Sequence, residues 1–227
     1  MTRAMLQTQS FHRSSPAVRR AARLAGLAGV LAILSSCSVL PKAEMLKIYQ
    51  LPPASMAPSA PSTQANSLPW NLRIATPQSS QVIDSVRVLV LQGNRISAYK
   101  GVRWSDPAPI LVRNRLASAF RTDGRFGSVS SGNDHLPAGV ELGGDLNAFQ
   151  VEYRNGMPAV NIRFYATLVQ SGGNRILAAR SFEVSQLVEG KGAPEVMVAF
   201  GKAIDRLASE IIDWTLPHGP APKSDTE

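Results

Sequence analysis

The only cysteine of this chain, Cys37, lies in a sequence that is typical of a lipid attachment site. It closes the motif Leu34-Ser35-Ser36-Cys37, in which a branched residue and two small residues precede the thiol. Bacterial lipoprotein signal peptidase accepts this pattern because small residues let the extended backbone enter the protease, after the thiol has taken a diacylglyceryl group. The apolar run 24–34 is too short to span a bilayer as a helix, and it follows three basic residues, Arg19, Arg20 and Arg23. The alternative is an ordinary signal peptide that happens to end near a cysteine.

Lipidation of Cys37 would define the N-terminal organisation of the chain. Residues 1–36 are then a lipoprotein signal peptide, with translation starting at Met1 or Met5. The mature chain begins at Cys37 and carries two or three acyl chains such as palmitate. Each buried methylene contributes about 0.8 kcal/mol, so more than one acyl chain anchors the protein stably. After residue 36 no apolar run reaches the ~20 residues of a membrane-spanning helix, so we expect a domain on a lipid tether.

Other reactive side chains do not form a recognisable site. His135 and its neighbour Asp134 are too few ligands for zinc, and a solvated loop is the simpler interpretation. The chain has no Gly-x-Ser-x-Gly motif, and Gly201-Lys202 lacks the first glycine of a phosphate-binding loop and falls inside a predicted helix. The sequence therefore predicts no catalytic residues, no metal site and no cofactor.

Arg103 and Trp104 are the candidate partner-contact residues. They directly precede a predicted helix, and tryptophan and arginine are enriched at the energetic centres of protein interfaces. The alternative is that Trp104 packs the entry of this helix into the core.

Charge argues against a nucleic-acid partner. Five of the 24 Lys and Arg residues, and no Asp or Glu, precede Cys37, so the mature chain has 19 positive and 16 negative residues and a formal charge of +3. No basic stripe with interleaved aromatic residues accompanies this small excess. We therefore exclude nucleic acid, and the absence of further cysteines excludes a disulfide framework.

Composition divides the mature chain into three parts. Residues 37–71 form a lipidated tether, with a short strand at 47–51 that we expect to pair back into the sheet and a linker rich in Pro, Ala and Ser. Residues 72–216 form the globular domain, and residues 217–227 form a flexible tail.

The pattern of apolar residues in 72–216 predicts an α+β fold. Strands are predicted at 72–75, 86–91, 96–99, 140–151, 159–169 and 176–188, with Asn155-Gly156 in a tight hairpin turn. A first helix is capped by Asp106 and ended by Gly124, with Arg115 pointing away from the core. A second helix carries the apolar set Val196, Phe200, Ala203, Leu207, Ile211 and Trp214. We expect one antiparallel or mixed sheet with both long helices packed on one face.

The order of these features resembles the ABC-type transport auxiliary lipoproteins, or PqiC-like proteins. The lipobox at Cys37 is followed by Tyr49-Gln50-Leu51-Pro52-Pro53, an Ala/Pro-rich spacer, and Asp84 ahead of a strand. Then come Arg103-Trp104-Ser105-Asp106-Pro107 at a helix start, Gly124-Arg125-Phe126-Gly127-Ser128-Val129 after that helix, and Ile211-Ile212-Asp213-Trp214 in the last helix. The resemblance covers nearly the whole mature chain.

This resemblance implies a non-enzymatic periplasmic lipoprotein that assists an ABC-type system. The implied partners are an MCE-domain protein, a permease and an ATPase, which carry lipids between the two membranes, and a homo-oligomeric ring would be compatible with them. Ser38 replaces the aspartate that retains lipoproteins in the inner membrane, so we expect the periplasmic side of the outer membrane. The alternative function is a lipoprotein that scaffolds or pilots another outer-membrane assembly, such as a secretin.

Overall fold

A computed structural model describes residues 45–54, 68–132, 139–154, 156–172, 175–190 and 192–220. These residues belong to one compact unit, Met45–Glu227. The strands are β1 Lys47–Tyr49, β2 Leu68–Ile74, β3 Gln78–Ser79, β4 Arg87–Gln92, β5 Arg95–Trp104, β6 Phe126–Ser131, β7 Val140–Arg154, β8 Met157–Gln170 and β9 Arg175–Leu187. The helices are α1 Ala108–Asp123 and α2 Ala193–Thr215, and a short 3₁₀ turn, Leu216–His218, follows α2.

Strand β7 organises the sheet because it pairs along both of its edges. One edge pairs antiparallel with β8 over its full length, and β8 pairs antiparallel with β9. The other edge pairs in parallel with β2 and β3 near its start and with β4 near its end. Strand β5 continues the sheet beyond β4, β1 lies outside β5, and β6 lies outside β2. The predicted α+β fold with a mixed sheet is therefore confirmed.

Local sequence explains the hairpin and the end of the first helix. Gly156, in the turn between β7 and β8, has φ 79°, a conformation that glycine adopts without steric cost. Gly124 ends α1 with φ 76°, as predicted.

The start of α1 differs from the prediction. The helix begins at Ala108 with Pro107 at the cap position, and no side chain caps it. Asp106 instead accepts a hydrogen bond from Ser105 Oγ at 2.8 Å. The predicted cap was wrong because the helix begins after Pro107, which leaves Asp106 one residue too far from the free N–H groups.

The core lies between the sheet and the two helices, which contact each other as well as the sheet. Trp104 of β5 is fully buried, with its ring centroid 5.8 Å from that of Phe149 and 5.0 Å from that of Phe200. All six apolar residues predicted to form the inner face of α2 are buried. Aromatic contacts of this kind stabilise a core beyond the burial of their area, so this cluster fixes α2 to β5 and β7.

Two positions that alternation or helical spacing placed at the surface are buried. In the predicted strand 159–169, Asn161 and Arg163 alternate with the apolar Ile162 and Phe164, which places both polar side chains on the wetter face. Arg163 is exposed as predicted, but Asn161 on β8 is only 1% exposed. Arg115 on α1 is 9% exposed, so its predicted outward orientation was wrong. The physical reason in the second case is that α2 covers this side of α1 and provides a carboxylate, Asp205, for the guanidinium.

Candidate functional site

The N-terminal segment joins the domain at one edge of the sheet. Strand β1 pairs in parallel with β5, with Ile48 opposite Arg103 and Tyr49 opposite Trp104. Tyr49 O also accepts a hydrogen bond from Ser105 N at 2.8 Å. This pairing joins the segment to the sheet over Lys47–Tyr49 and not over the whole of the predicted strand 47–51.

Beyond β1, the backbone at Pro52 is fixed to both helices. Arg115 Nη2 of α1 donates a hydrogen bond to Pro52 O, and Arg115 Nε lies 3.2 Å from Asp205 Oδ1 of α2. The side chains of Arg115 and Asp205 are only 8% and 10% exposed. We call Pro52, Arg115, Gly201 and Asp205 the N-terminal clamp, because together they fasten the segment after β1 to the helix pair.

Gly201 contributes to the clamp through its missing side chain. A Cβ atom at this position would lie 3.2 Å from Pro52 Cγ and 3.3 Å from Pro52 Cδ, closer than ordinary van der Waals contact. The glycine therefore lets the proline ring approach the backbone of α2. This contact explains the glycine at position 201, and Gly201-Lys202 lies inside α2 as predicted and not in a phosphate-binding loop.

A groove of about 320 Å³ runs between the clamped segment and α1. Its lining combines the segment 50–53 with Asp106, Asn114 and Ser118. These side chains offer hydrogen-bonding groups beside the apolar Leu51 and Leu111. The groove is thus an open surface with both polar and apolar groups, and not an enclosed pocket.

The structure separates the two predicted partner-contact residues. Trp104 is in the core, so its side chain packs the fold, as the alternative interpretation held. Arg103 is exposed, and it shares a sheet face with Ile48, opposite to the face that carries Trp104. Cys37 and His135 lie outside the described residues, so their roles stay predictions.

A polar network on β7, β8 and β9 was missed by the sequence analysis. Gln150 Nε2 donates to Glu152 Oε1 at 2.9 Å, and Asn161 Nδ2 donates to Glu183 Oε1 at 3.0 Å. Arg154 Nη2 lies 3.2 Å from Glu152 Oε2 and 3.8 Å from Glu183 Oε1. Both carboxylates thus have partners, which indicates a structural network and not a general base. Strand alternation alone gives no signal for it.

Two of the described side chains have pKa values that differ from their ordinary ones. Burial raises the pKa of the Tyr99 phenol, and a hydrogen bond from its guanidinium to Asp123 raises the pKa of Arg125. Both changes move the group further from titration at neutral pH. Within the described ranges, no group of three or more His, Cys, Asp or Glu side chains could hold a metal ion. In the same part of the chain, no helix is long and apolar enough to cross a membrane.

Comparison with known proteins gives a family match over most of the chain. The model of the ABC-type transport auxiliary lipoprotein component matches residues 49–212, beginning at the last residue of β1. An uncharacterised protein of Bradyrhizobium diazoefficiens is 25% identical over 164 residues, which are 72% of this chain and 43% of that protein. The chain therefore spans less than half the length of this curated relative.

Solved structures show the same fold. A crystal structure of a protein from Xanthomonas campestris has a TM-score of 0.67 and 26% identity, and the match covers 76% of this chain and 96% of that one. The crystal structure of another uncharacterised protein has a TM-score of 0.59 and 15% identity, with 76% and 99% of the two chains covered. Other proteins therefore share this fold over about three quarters of the chain.

Proposed function

Because this chain is a member of the ABC-type transport auxiliary lipoprotein family, we propose that it is the lipid-anchored periplasmic auxiliary subunit of an intermembrane lipid transport system. The observation that carries the proposal is the family match over residues 49–212. Membership assigns an auxiliary role in ABC-type transport. The lipid cargo, the acyl anchor at Cys37 and the partners (an MCE-domain protein, a permease and an ATPase) are the proposed part.

The proposed mechanism is tethering and docking without catalysis. Cys37 is ten residues before Lys47, so an extended tether holds β1 within about 35 Å of the membrane. Strand β1 attaches the end of this short tether to the sheet, and the N-terminal clamp fastens the segment after β1 to both helices, so the anchor limits how far the whole domain moves from the membrane. Confinement of the domain to a thin layer beside the membrane raises the effective concentration of a weakly docking partner in the same layer, to about the millimolar range for short linkers.

The groove beside the clamp supports a docking role. It is lined by the segment 50–53 and by polar side chains of α1, and the hydrogen bond from Arg115 to Pro52 O fixes that segment to α1. A surface that needs no rearrangement loses less conformational entropy on binding. We propose that this groove receives the periplasmic end of the MCE assembly, at the inner leaflet of the outer membrane as Ser38 indicates.

Gene deletion tests the proposed function. We expect strains that lack this protein, or lack the MCE-domain protein, to show the same increase in outer-membrane permeability. The double deletion should be no worse than either single deletion, because both proteins act in one transport route. Additive defects would contradict the proposal, and loss of an assembled secretin with intact lipid transport would favour the scaffold or pilot function instead.

A further inference from the structure

Exposed apolar side chains cluster where the tether enters the domain. Met45, Leu46 and Ile48 are 93%, 57% and 57% exposed, and seven residues separate Met45 from Cys37. Strand β1, which carries Ile48, is the outermost strand at this side of the sheet. Three apolar side chains in four consecutive positions are unusual on a surface that meets only water, since larger apolar patches mark contact sites.

Two arginines lie beside Ile48 on the same face of the sheet. Arg87 of β4 is directly opposite Arg103 of β5, which is in turn opposite Ile48 of β1. Residues opposite one another on neighbouring strands project from the same face. Arg87 and Arg103 are exposed, and within the described ranges neither guanidinium has a hydrogen bond or ion pair. Like charges placed opposite each other destabilise a sheet, so this pair is best explained by an anionic partner.

We propose that Met45, Leu46, Ile48, Arg87 and Arg103, together the β1 patch, bind the surface of an anionic phospholipid bilayer. Apolar side chains next to basic ones are the chemistry that binds such a surface, because the former enter the interface and the latter attract the headgroups. The choice of a bilayer rests on the proposed acyl anchor at Cys37, which keeps the patch close to a membrane.

The β1 patch would give the domain a defined orientation. With this face on the headgroups, the opposite face of β5, where Trp104 packs against α2, is directed away from the membrane. The helices are then presented to the periplasm. A symmetric contact with a second copy suits the patch poorly, because it would bring two pairs of unpaired guanidiniums together.

Vesicle binding of the unacylated mature chain, Cys37→Ser, tests the proposal independently of the tether. We expect it to sediment with vesicles of phosphatidylcholine and phosphatidylglycerol in a 7:3 ratio, and less with phosphatidylcholine alone or in 0.5 M salt. The variant Arg87→Gln/Arg103→Gln should partition roughly 30-fold less, because each arginine near an anionic surface contributes about a fivefold factor. Ile48→Ser should also weaken binding, without changing its salt dependence.

A matched variant controls for the loss of net charge. Arg175→Gln/Arg180→Gln removes two exposed positive charges from β9, at the other end of the sheet, and should leave partitioning unchanged. Circular dichroism would verify that each variant is folded. Absence of binding to the phosphatidylglycerol vesicles would overturn the proposal that the β1 patch binds a bilayer. An equal loss of binding in the Arg87/Arg103 and the Arg175/Arg180 variants would also overturn it. Mass spectrometry of the native N-terminus reports separately whether Cys37 is acylated. A wrong prediction of bilayer binding by the β1 patch can therefore be distinguished from a wrong prediction of the acyl anchor.

Discussion

The variant Asp205→Ala is expected to lose about 3–5 kcal/mol of unfolding free energy, because it leaves the Arg115 guanidinium buried without its carboxylate. Both side chains are at most 10% exposed, and the Arg115 guanidinium also holds the Pro52 carbonyl. Urea unfolding followed by circular dichroism measures the loss. Limited proteolysis should show faster cleavage near residues 50–54, since the clamp no longer holds this segment.

Two matched variants show whether the loss belongs to the buried pair. Glu210→Ala removes the partner of Arg206 from the exposed side of α2, and should cost no more than about 0.5 kcal/mol. Arg115→Met/Asp205→Leu replaces both charges with apolar side chains and should recover most of the stability, although it frees Pro52 O. If Asp205→Ala lost less than about 0.5 kcal/mol of unfolding free energy, the stabilising role of the N-terminal clamp would be contradicted.

Cys37→Ala is expected to move the protein from the membrane fraction to the soluble fraction and to abolish its function in cells. Removal of two or three acyl chains removes about 0.8 kcal/mol for every methylene that was buried in the bilayer, which is far more than a surface contact can replace. The fold should be unchanged because the buried core is built from residues between Trp70 and Trp214. Fractionation and an outer-membrane permeability assay in the deletion strain measure the two effects.

The neighbouring substitution Ser38→Ala provides the control for Cys37→Ala. It leaves the thiol and the signal peptide intact, so acylation and membrane attachment should persist. Attaching the Cys37→Ala domain to a foreign lipoprotein leader that carries its own cysteine should restore function. Full complementation by the unanchored Cys37→Ala protein would show that tethering is not required.

The parts of the fold that depend on short-range signals could be predicted from the sequence. Gly124 and Gly156 have backbone conformations that few other residues adopt, so they set the end of α1 and the turn between β7 and β8. The apolar spacing of α2 identified its buried face because one side of this helix packs against the sheet along its length.

The N-terminal clamp could not be predicted, because its members meet only in the folded chain. Pro52, Arg115 and Asp205 are separated by 63 and 90 residues, and the arginine lies at a helical position that periodicity assigns to solvent. Its burial depends on a second helix that supplies an opposite charge. Asn161 is a similar case, since the Glu183 that accepts its hydrogen bond comes from the next strand. The Pro52–Gly201 contact had one sequence signal, a glycine in the middle of a strong helix, where glycine costs about 1 kcal/mol relative to alanine.

In-cell cross-linking of the tagged, acylated protein, followed by mass spectrometry of the copurifying proteins, tests the central claim most directly. A photo-crosslinker at Asn114 or Ser118 would place the reaction in the groove beside the clamp. We expect an MCE-domain protein, with its permease and ATPase, to be recovered from the groove positions and not from the exposed Arg175 of β9. Recovery of a secretin, or only of unrelated envelope proteins, would contradict the proposed role in lipid transport.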